Sequence, residues 1–384
     1  MSVTVIVEPD PGGHRFQAVA NVARVAARSG DVVLLTSTVG AQDDAFATLL
    51  GDLDVELIVE QPFDDIRPPT RVMARAIAEV ARRRPVAKAI VMDADQALKR
   101  WWWVARQEFR GLRGNRSERR TSAPVAAGRQ PFMIFMLTRY PAKLTLRDSF
   151  GWKLRISKAA LAMAARVGGT LDHVAGFAGR DDMTEGWVVK RARDPEVCLA
   201  HSRDRMAIRE QFGLPQDRKL VGIFGVIEER KNAPMVLDAL DHVGLHDVDL
   251  VLGGGIWKEV WAWIDALPPE RRRRVITHDG FLTDLEMDQL VAAVDCCPIP
   301  LTNNGPSGIM GKALAAEVPV VTAGSTVRAA EIVATDGGVA CELTVPALGA
   351  AIREVLSWPA DRPRRNTVPP ATAEAFAERL LALR

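Results

Sequence analysis

Four cysteines in 384 residues, with no Cys-x-x-Cys among them, leave neither a disulfide framework nor a thiolate zinc cage to hold this chain together. Cys198, Cys296, Cys297 and Cys341 read as reduced, mostly buried thiols. An excess of either charge is lacking too. Fifty Lys and Arg stand against 48 Asp and Glu, a formal net charge of +2, which supplies no global field for wrapping nucleic acid. No apolar run approaches the roughly 18 uninterrupted residues of a membrane-spanning helix. The stretch from Met1 to Val7 meets Glu8, Pro9 and Asp10 without the basic start and longer apolar core of a signal peptide. The expectation is a cytoplasmic protein, with contact at a membrane surface left open. Low-complexity tracts and residue-level internal repeats are absent as well.

What the chain has is length and apolar content. At about 150 residues per domain the length predicts two or three domains, and 48% hydrophobic residues supply a core for each. Short apolar runs alternate with amphipathic stretches, the pattern of parallel sheets covered on both faces by helices. Residues 3–8 (VTVIVE) predict a strand, 9–13 (PDPGG) a turn, 15–29 a helix ended by Gly30, and 31–36 (DVVLLT) the next strand. Further strands are expected at 54–59, 88–92 and 132–137. After a charged segment at 189–195 (VKRARDP), a second series is expected at 219–225, 248–252, 274–277, 294–299 and 318–322. The expected fold class is α/β, two doubly wound Rossmann-like domains over 1–190 and 191–365 facing across a cleft, with a C-terminal helix in 366–384 that can cross back to the first.

One segment departs from the even charge. Residues 99–120 (KRWWWVARQEFRGLRGNRSERR) hold eight basic and two acidic side chains. Trp101, Trp102 and Trp103 point three ways on a helix and cannot all stack on one ligand. The segment reads as a flexible lid that also allows contact with a membrane. An aromatic sugar platform, an interfacial helix, a nucleic-acid arm and a solvated basic loop over a buried Trp are the competing readings. Nucleic acid is the least favoured, because the rest of the chain is slightly acidic.

Several local patterns suit phosphate or sugar chemistry. Lys231, with Arg230 beside it, begins a helix after the strand 219–225 and offers a cation and helix-terminal N–H groups to a phosphate. A solvated lysine on a helix end is the plain alternative. Residues 303–312 (NNGPSGIMGK) place Gly305, Pro306, Ser307, Gly308 and Gly311 in a small-residue turn before a helix, where N–H groups and a hydroxyl can cradle a diphosphate. Gly12 and Gly13 allow close backbone approach after the first strand, and His14 follows as a hydrogen-bonding or capping residue. Asp93 and Asp95 follow the strand 88–92 at a spacing able to hold a divalent cation. Hydrogen bonding to acceptor hydroxyls is the preferred reading, with a helix N-cap role as the alternative. No metal and no cofactor is assigned: His242 and His246 lack a third ligand, and His173, His201 and His278 stand alone.

The segments 208–240 (IREQFGLPQDRKLVGIFGVIEERKNAPMVLDAL) and 275–322 together resemble the C-terminal half of the family 4, GT-B fold, retaining glycosyltransferases. They share a strand ending in Gly, a loop with Lys before a helix, and a second loop and helix leading into a Pro-Val-Val strand. The Gly12-Gly13 turn is similar to that family's first loop. The resemblance implies transfer of a sugar from a nucleotide diphosphate sugar to an acceptor, with retention of anomeric configuration. It implies catalytic roles for Lys231 and Arg230, and His14 joins them as a catalytic candidate from its own place after the Gly12-Gly13 turn. Around the donor it places Gly12, Gly13, Gly254, Phe281, Leu282, Asn304, Gly305, Ser307, Gly308 and Lys312. Toward the acceptor it leaves Asp93, Asp95, Trp102 and Arg139. The chain departs from the family at four places: Val226 stands where the family has Arg, Asn304 and Lys312 stand where it has two glutamates, and Thr138, Arg139 and Tyr140 occupy the end of the strand 132–137, where it often has a cleft His. Two functions stay open, an enzyme acting on a small-molecule, glycan or lipid-linked acceptor, and a non-catalytic GT-B homologue that binds a ligand or partner.

Overall fold

The computed structural model describes residues 2–13, 15–51, 53–112, 126–141, 144, 148–301, 303, 307–359 and 362–383. The chain divides into two compact units, one of Met1–Ala178, Asp182–Arg193 and Thr372–Arg384, the other of Gly179–Asp181 and Asp194–Ala371.

In the first unit seven parallel strands form one sheet. They are β1 (Ser2–Val7), β2 (Gly30–Ser37), β3 (Leu57–Phe63), β4 (Val86–Val91), β5 (Phe132–Leu137), β6 (His173–Ala178) and β7 (Lys190–Arg193), in the order β3-β2-β1-β4-β5-β6-β7. Strand side chains alternate between two apolar layers, as a parallel sheet covered on both faces requires. Val5, Val33 and Ala89 pack with helices Thr70–Arg83 and Leu98–Glu108. Ile6, Leu34 and Ile90 pack with Arg15–Ala27 and Ala373–Leu380. The C-terminal helix is fastened there by Phe376 and Leu380 in the core and by Lys88 Nζ donating to Leu381 O at 2.7 Å. The order of winding reverses between β1 and β4, where such sheets hold ligands.

Several features of this unit differ from expectation, β6 among them, since no strand is expected at 173–178. β3 begins at Leu57 rather than 54, and β7 runs through the charged segment VKRARDP. Arg191 is buried in β7 because its guanidinium lies 5.1 Å from the Tyr140 ring centre and 3.5 Å from Asp182. The first part of the expected lid is also a packed helix, Leu98–Glu108, rather than a mobile flap. Leu98, Trp101, Val104 and Ala105 recur at helical spacing and are buried together. Trp101 Nε1 donates to Thr170 O at 2.9 Å, and its ring sits 4.7 Å from Phe135. Residues 113–125 lie outside the described residues.

The second unit holds β8 (Lys219–Phe224), β9 (Val248–Gly254), β10 (Val275–Asp279), β11 (Cys297–Pro300), β12 (Val320–Ala323) and β13 (Gly338–Cys341). β10-β9-β8 and β11-β12-β13 are parallel triplets. A bridge between Val221 and Cys296 joins them, with Gly222 N donating to Cys296 O at 3.0 Å. The winding reverses a second time between β8 and β11. Cys296 and Cys297 are buried free thiols, Cys198 and Cys341 half-buried ones. Among the described residues no helix is long and apolar enough to cross a membrane.

Asp295 fastens the amino ends of β8 and β11. Its carboxylate accepts from Arg209 at 2.7 Å, Arg205 at 3.1 Å, Lys219 at 3.2 Å and the Leu220 N–H at 2.8 Å. Burial alone would raise its pKa, but the N–H donor and the cations outweigh burial and hold it below the usual carboxylate range. Asp295→Ala leaves the buried Arg209 charge without its carboxylate and is expected to lower the unfolding free energy by about 3–5 kcal/mol in urea titrations. A loss below about 1 kcal/mol, the size of an exposed pair, would contradict this role.

Candidate functional site

The second unit gathers its candidate ligand-binding groups at the reversal between β8 and β11. Gly225 (φ +92°) ends β8, and a Cβ on Gly254 (φ +122°) would stand 2.2 Å from its carbonyl oxygen. The loops after β8 and β9 abut because Gly254 lacks a side chain, and the positive φ at Gly225 is one that glycine adopts readily. The chain then passes exposed Val226, makes the short turn Glu229–Lys231 and enters helix Ala233–His242 through Asn232, at φ +51°. Asn232 Nδ2 donates to Pro300 O at 2.6 Å, tying this loop to the end of β11. Lys231 is half-buried and its Nζ donates to Phe224 O at 2.9 Å. Desolvation lowers its pKa from 10.5 to about 8, Arg230 adding in the same direction and Glu228 opposing. Arg230 is exposed, its Nε donating to Glu228 Oε1 at 2.7 Å.

On the β11 side, Arg328 holds the departing loop. It donates to Asn303 O at 2.7 Å, to Leu301 O, and to Thr322 Oγ1 at 3.4 Å. Desolvation brings its pKa down to about 10. Ser307 caps helix Gly308–Ala315, its Oγ accepting from Met310 N at 3.3 Å, so Gly308 opens the helix. Asn304 and Gly305, like His14, lie outside the described residues. Phe281, exposed, and Leu282, half-buried, follow β10, the outer strand of its triplet.

Lys312 is engaged elsewhere. Its buried ammonium pairs with Asp288 and stands 3.8 Å from Asp284, both on helix Asp284–Ala293. Asp288 also accepts from Leu199 N at 2.6 Å. Lys312 is expected near a donor; in this structure the pairing takes up its charge inside the unit.

In the first unit the reversal between β1 and β4 gathers a second cluster. Glu8, directly after β1, is buried and accepts from Asp10 N at 3.0 Å and Arg15 Nη1 at 3.4 Å. Asp10 Oδ1 accepts from Gly12 N at 2.9 Å and folds the turn that Gly13 (φ +69°) completes. Arg15 reaches Asp10 at 3.5 Å and Asp93 at 2.8 Å as well. Burial raises the Glu8 pKa from 4.5 to about 8, with Arg15 opposing. Gly12, Gly13 and Asp93 thus come together, with Glu8 and Arg15 as neighbours that sequence reasoning missed.

Asp95, expected near an acceptor, has internal partners. It accepts from Lys158 Nζ at 2.5 Å, Thr138 Oγ1 at 2.7 Å and Arg139 N at 2.9 Å. These bonds occupy the carboxylate and fix the turn after β5. Nor is it an N-cap, a place Ala97 holds for helix Leu98–Glu108. Arg139 is exposed beyond that turn, and Trp102 lies on the helix with Arg106 4.9 Å from its ring centre. Among the described residues no group of three His, Cys, Asp or Glu is placed to hold a metal ion.

Residues 218–357 match the family model described as Glycosyl transferases group 1. The structure of HepE from Anabaena in complex with UDP is 16% identical, with a TM-score of 0.55 over 99% of this chain and 95% of that one. Sucrose-phosphate synthase from Thermosynechococcus elongatus is 13% identical, with a TM-score of 0.57 over 100% and 95%. WaaG, described as a glycosyltransferase involved in lipopolysaccharide biosynthesis, is 16% identical, with a TM-score of 0.54 over 98% and 94%. These likenesses show a two-domain, Rossmann-like GT-B fold. No curated protein sequence matches the chain.

The raised Glu8 pKa sets a sign for pH dependence. The folded state holds this proton between pH 4.5 and about 8 while the unfolded chain releases it, so folding stability falls as pH rises through that window. Glu8→Gln removes the titration. The difference in unfolding free energy between variant and wild type should therefore move in the variant's favour from pH 5 to 8; a difference that does not change with pH refutes the assignment.

Proposed function

We propose that this chain of GT-B fold is a glycosyltransferase, moving a sugar from a nucleotide diphosphate sugar to an acceptor with retention of configuration. The donor belongs to the C-terminal half, 191–365, and acceptor recognition to 1–190. The observation that carries this reading is Lys231: a partly desolvated ammonium at the winding reversal, beside two abutting glycine loops and near the β11 loop. Charge develops on the diphosphate as the glycosidic bond breaks, and a cation already out of water stabilises it without reorganising solvent. Arg230 is exposed and needs only to leave Glu228 to add a second charge. Gly308 N–H, Ser307, Asn304 and Gly305 supply donors to the same diphosphate, and Gly254, Phe281 and Leu282 flank the nucleotide and sugar.

In the first unit, Gly12 and Gly13 admit a close backbone approach, and Asp93, held by Arg15, presents a carboxylate to acceptor hydroxyls, with His14, Arg139 and Trp102 as further contacts. Retention rests on the resemblance of 208–240 and 275–322. HepE is described with UDP, which makes a uridine nucleotide the first donor to try. The acceptor is a small molecule, a glycan or a lipid-linked compound. The protein works in the cytoplasm, with the basic Trp segment 99–120 able to touch a membrane. A second reading, a non-catalytic GT-B homologue, is favoured by exposed Val226 in the family's Arg position and by Lys312, which is internal.

Two measurements test the donor site. In a thermal-shift and titration panel of UDP, GDP, TDP and ADP with their sugars, one nucleotide should bind, and Lys231→Ala should weaken it about 10- to 100-fold, the worth of a charge-assisted contact. Because the free ammonium titrates near pH 8, wild-type affinity should hold below that pH and fall above it. Equal affinity in wild type and variant removes Lys231 from the site. Binding without transfer or hydrolysis puts the non-catalytic reading first.

A further inference from the structure

Helix Ser149–Val167 reverses the usual polarity of a surface helix. Its buried positions are Gly151, Lys158, Ala162 and Ala165. Lys158 passes its ammonium inward, donating to Asp95 Oδ1 and Arg139 O, both at 2.5 Å. The bulky apolar residues point the other way: Phe150 is 76% exposed, Ile156 63% and Val167 78%. A helix on a water-facing surface ordinarily buries such residues and shows its polar ones. This one contains no Asp or Glu, and besides Lys158 its charges are Lys153, Arg155 and Arg166.

The apolar surface continues past the helix end. A Cβ on Gly168 would stand 2.4 Å from the Trp102 indole, so that ring lies against the helix terminus, with Trp103 61% exposed beside it. Trp187, 86% exposed, lines a shallow cavity of about 360 Å³ with Met163, Arg166, Val167 and Lys190. The cations are set among the rings, Arg106 4.9 Å from the Trp102 ring centre and Arg155 5.5 Å from that of Trp152. The acids bordering this face already have partners. Asp148 caps the helix through Gly151 N at 2.8 Å, Glu185 accepts from Arg379 at 2.7 Å, and Glu108 stands 3.3 Å from Arg71 and Arg75.

We propose that this face docks on a bilayer containing anionic lipid, with Phe150, Ile156, Val167 and Trp187 entering the interfacial zone and Lys153 and Lys190 meeting lipid phosphates. Aromatic and aliphatic side chains set among cations, with the bordering acids engaged by other partners, are what an anionic membrane surface binds. A second copy would set like charges against like, and an apolar patch of this kind on a monomer marks an interaction site. The docking extends the membrane contact proposed for 99–120 and favours a lipid-linked acceptor, but stands on its own element and needs no donor chemistry.

The test is co-sedimentation of the full chain with phosphatidylcholine vesicles, with and without phosphatidylglycerol. Wild type should pellet with the anionic vesicles. Lys153→Gln with Lys190→Gln should weaken that binding about tenfold or more. Phe150→Ser with Ile156→Ser and Val167→Ser should abolish it while leaving the melting temperature and the nucleotide-induced shift unchanged. A measurement free of variants, quenching of wild-type Trp fluorescence by brominated acyl chains in anionic vesicles, should show insertion. Wild type that stays in the supernatant with both vesicles and is not quenched overturns the proposal. So does wild type that ignores lipid but dimerises in sedimentation velocity through the same three apolar residues. A protein that binds nucleotide and ignores vesicles refutes the docking alone; one that binds vesicles and no nucleotide refutes the donor site alone.

Discussion

A parallel sheet buried on both faces cannot be reached through its faces, since helices occupy them, and its strands leave in one direction. Ligands are admitted where the winding reverses and two neighbouring loops part. Each unit has one such place, between β1 and β4 and between β8 and β11, and most of the candidate chemistry of the chain sits at these two. Both carry an ionisable group moved by burial toward neutrality: Glu8 upward in the first unit, Lys231 downward in the second. Desolvation of this kind costs stability, and functional sites are where folded proteins tolerate it.

The second site is rigid for reasons that do not involve Lys231 itself. Gly254 lets two loop backbones touch, Asn232 ties the β8 loop to Pro300, and Arg328 holds Leu301 and Asn303. Lys231 is thus presented by a preformed frame, which is what electrostatic stabilisation of a leaving group requires. Lys312, one helical turn after Gly308, belongs to a different device, an internal pair with Asp288 that joins two helices. Breaking one partner of such a pair is expensive, so the lysine is held by the fold and not by a ligand.

Much of this was legible in the residues. The strand and helix periods of the first unit follow from which side chains must be covered, and Lys231 stands out because it lies at a helix start in the loop after the strand 219–225. Partners far apart in the chain were not legible. Asp95 and Lys158 lie 63 residues apart and Lys312 and Asp288 24 apart, so neither neutralisation shows in a local window. β7 escaped because its Arg191 is made compatible with burial by Tyr140 and Asp182. The helix Ser149–Val167 follows the normal period, but its small residues face the core, so the pattern shows a helix without showing which face is out. Glu8 and Arg15 flank the Gly12-Gly13 turn, and only the folded turn brings them within reach of each other.

The central claim is that the β8–β11 reversal holds a nucleotide diphosphate. Its most direct test is backbone hydrogen–deuterium exchange with and without the nucleotide that binds best. The account predicts new protection at 225–233 and at 307–311, the two loop-to-helix junctions of the second unit. Protection confined to the first unit, or none at saturating nucleotide, would contradict it.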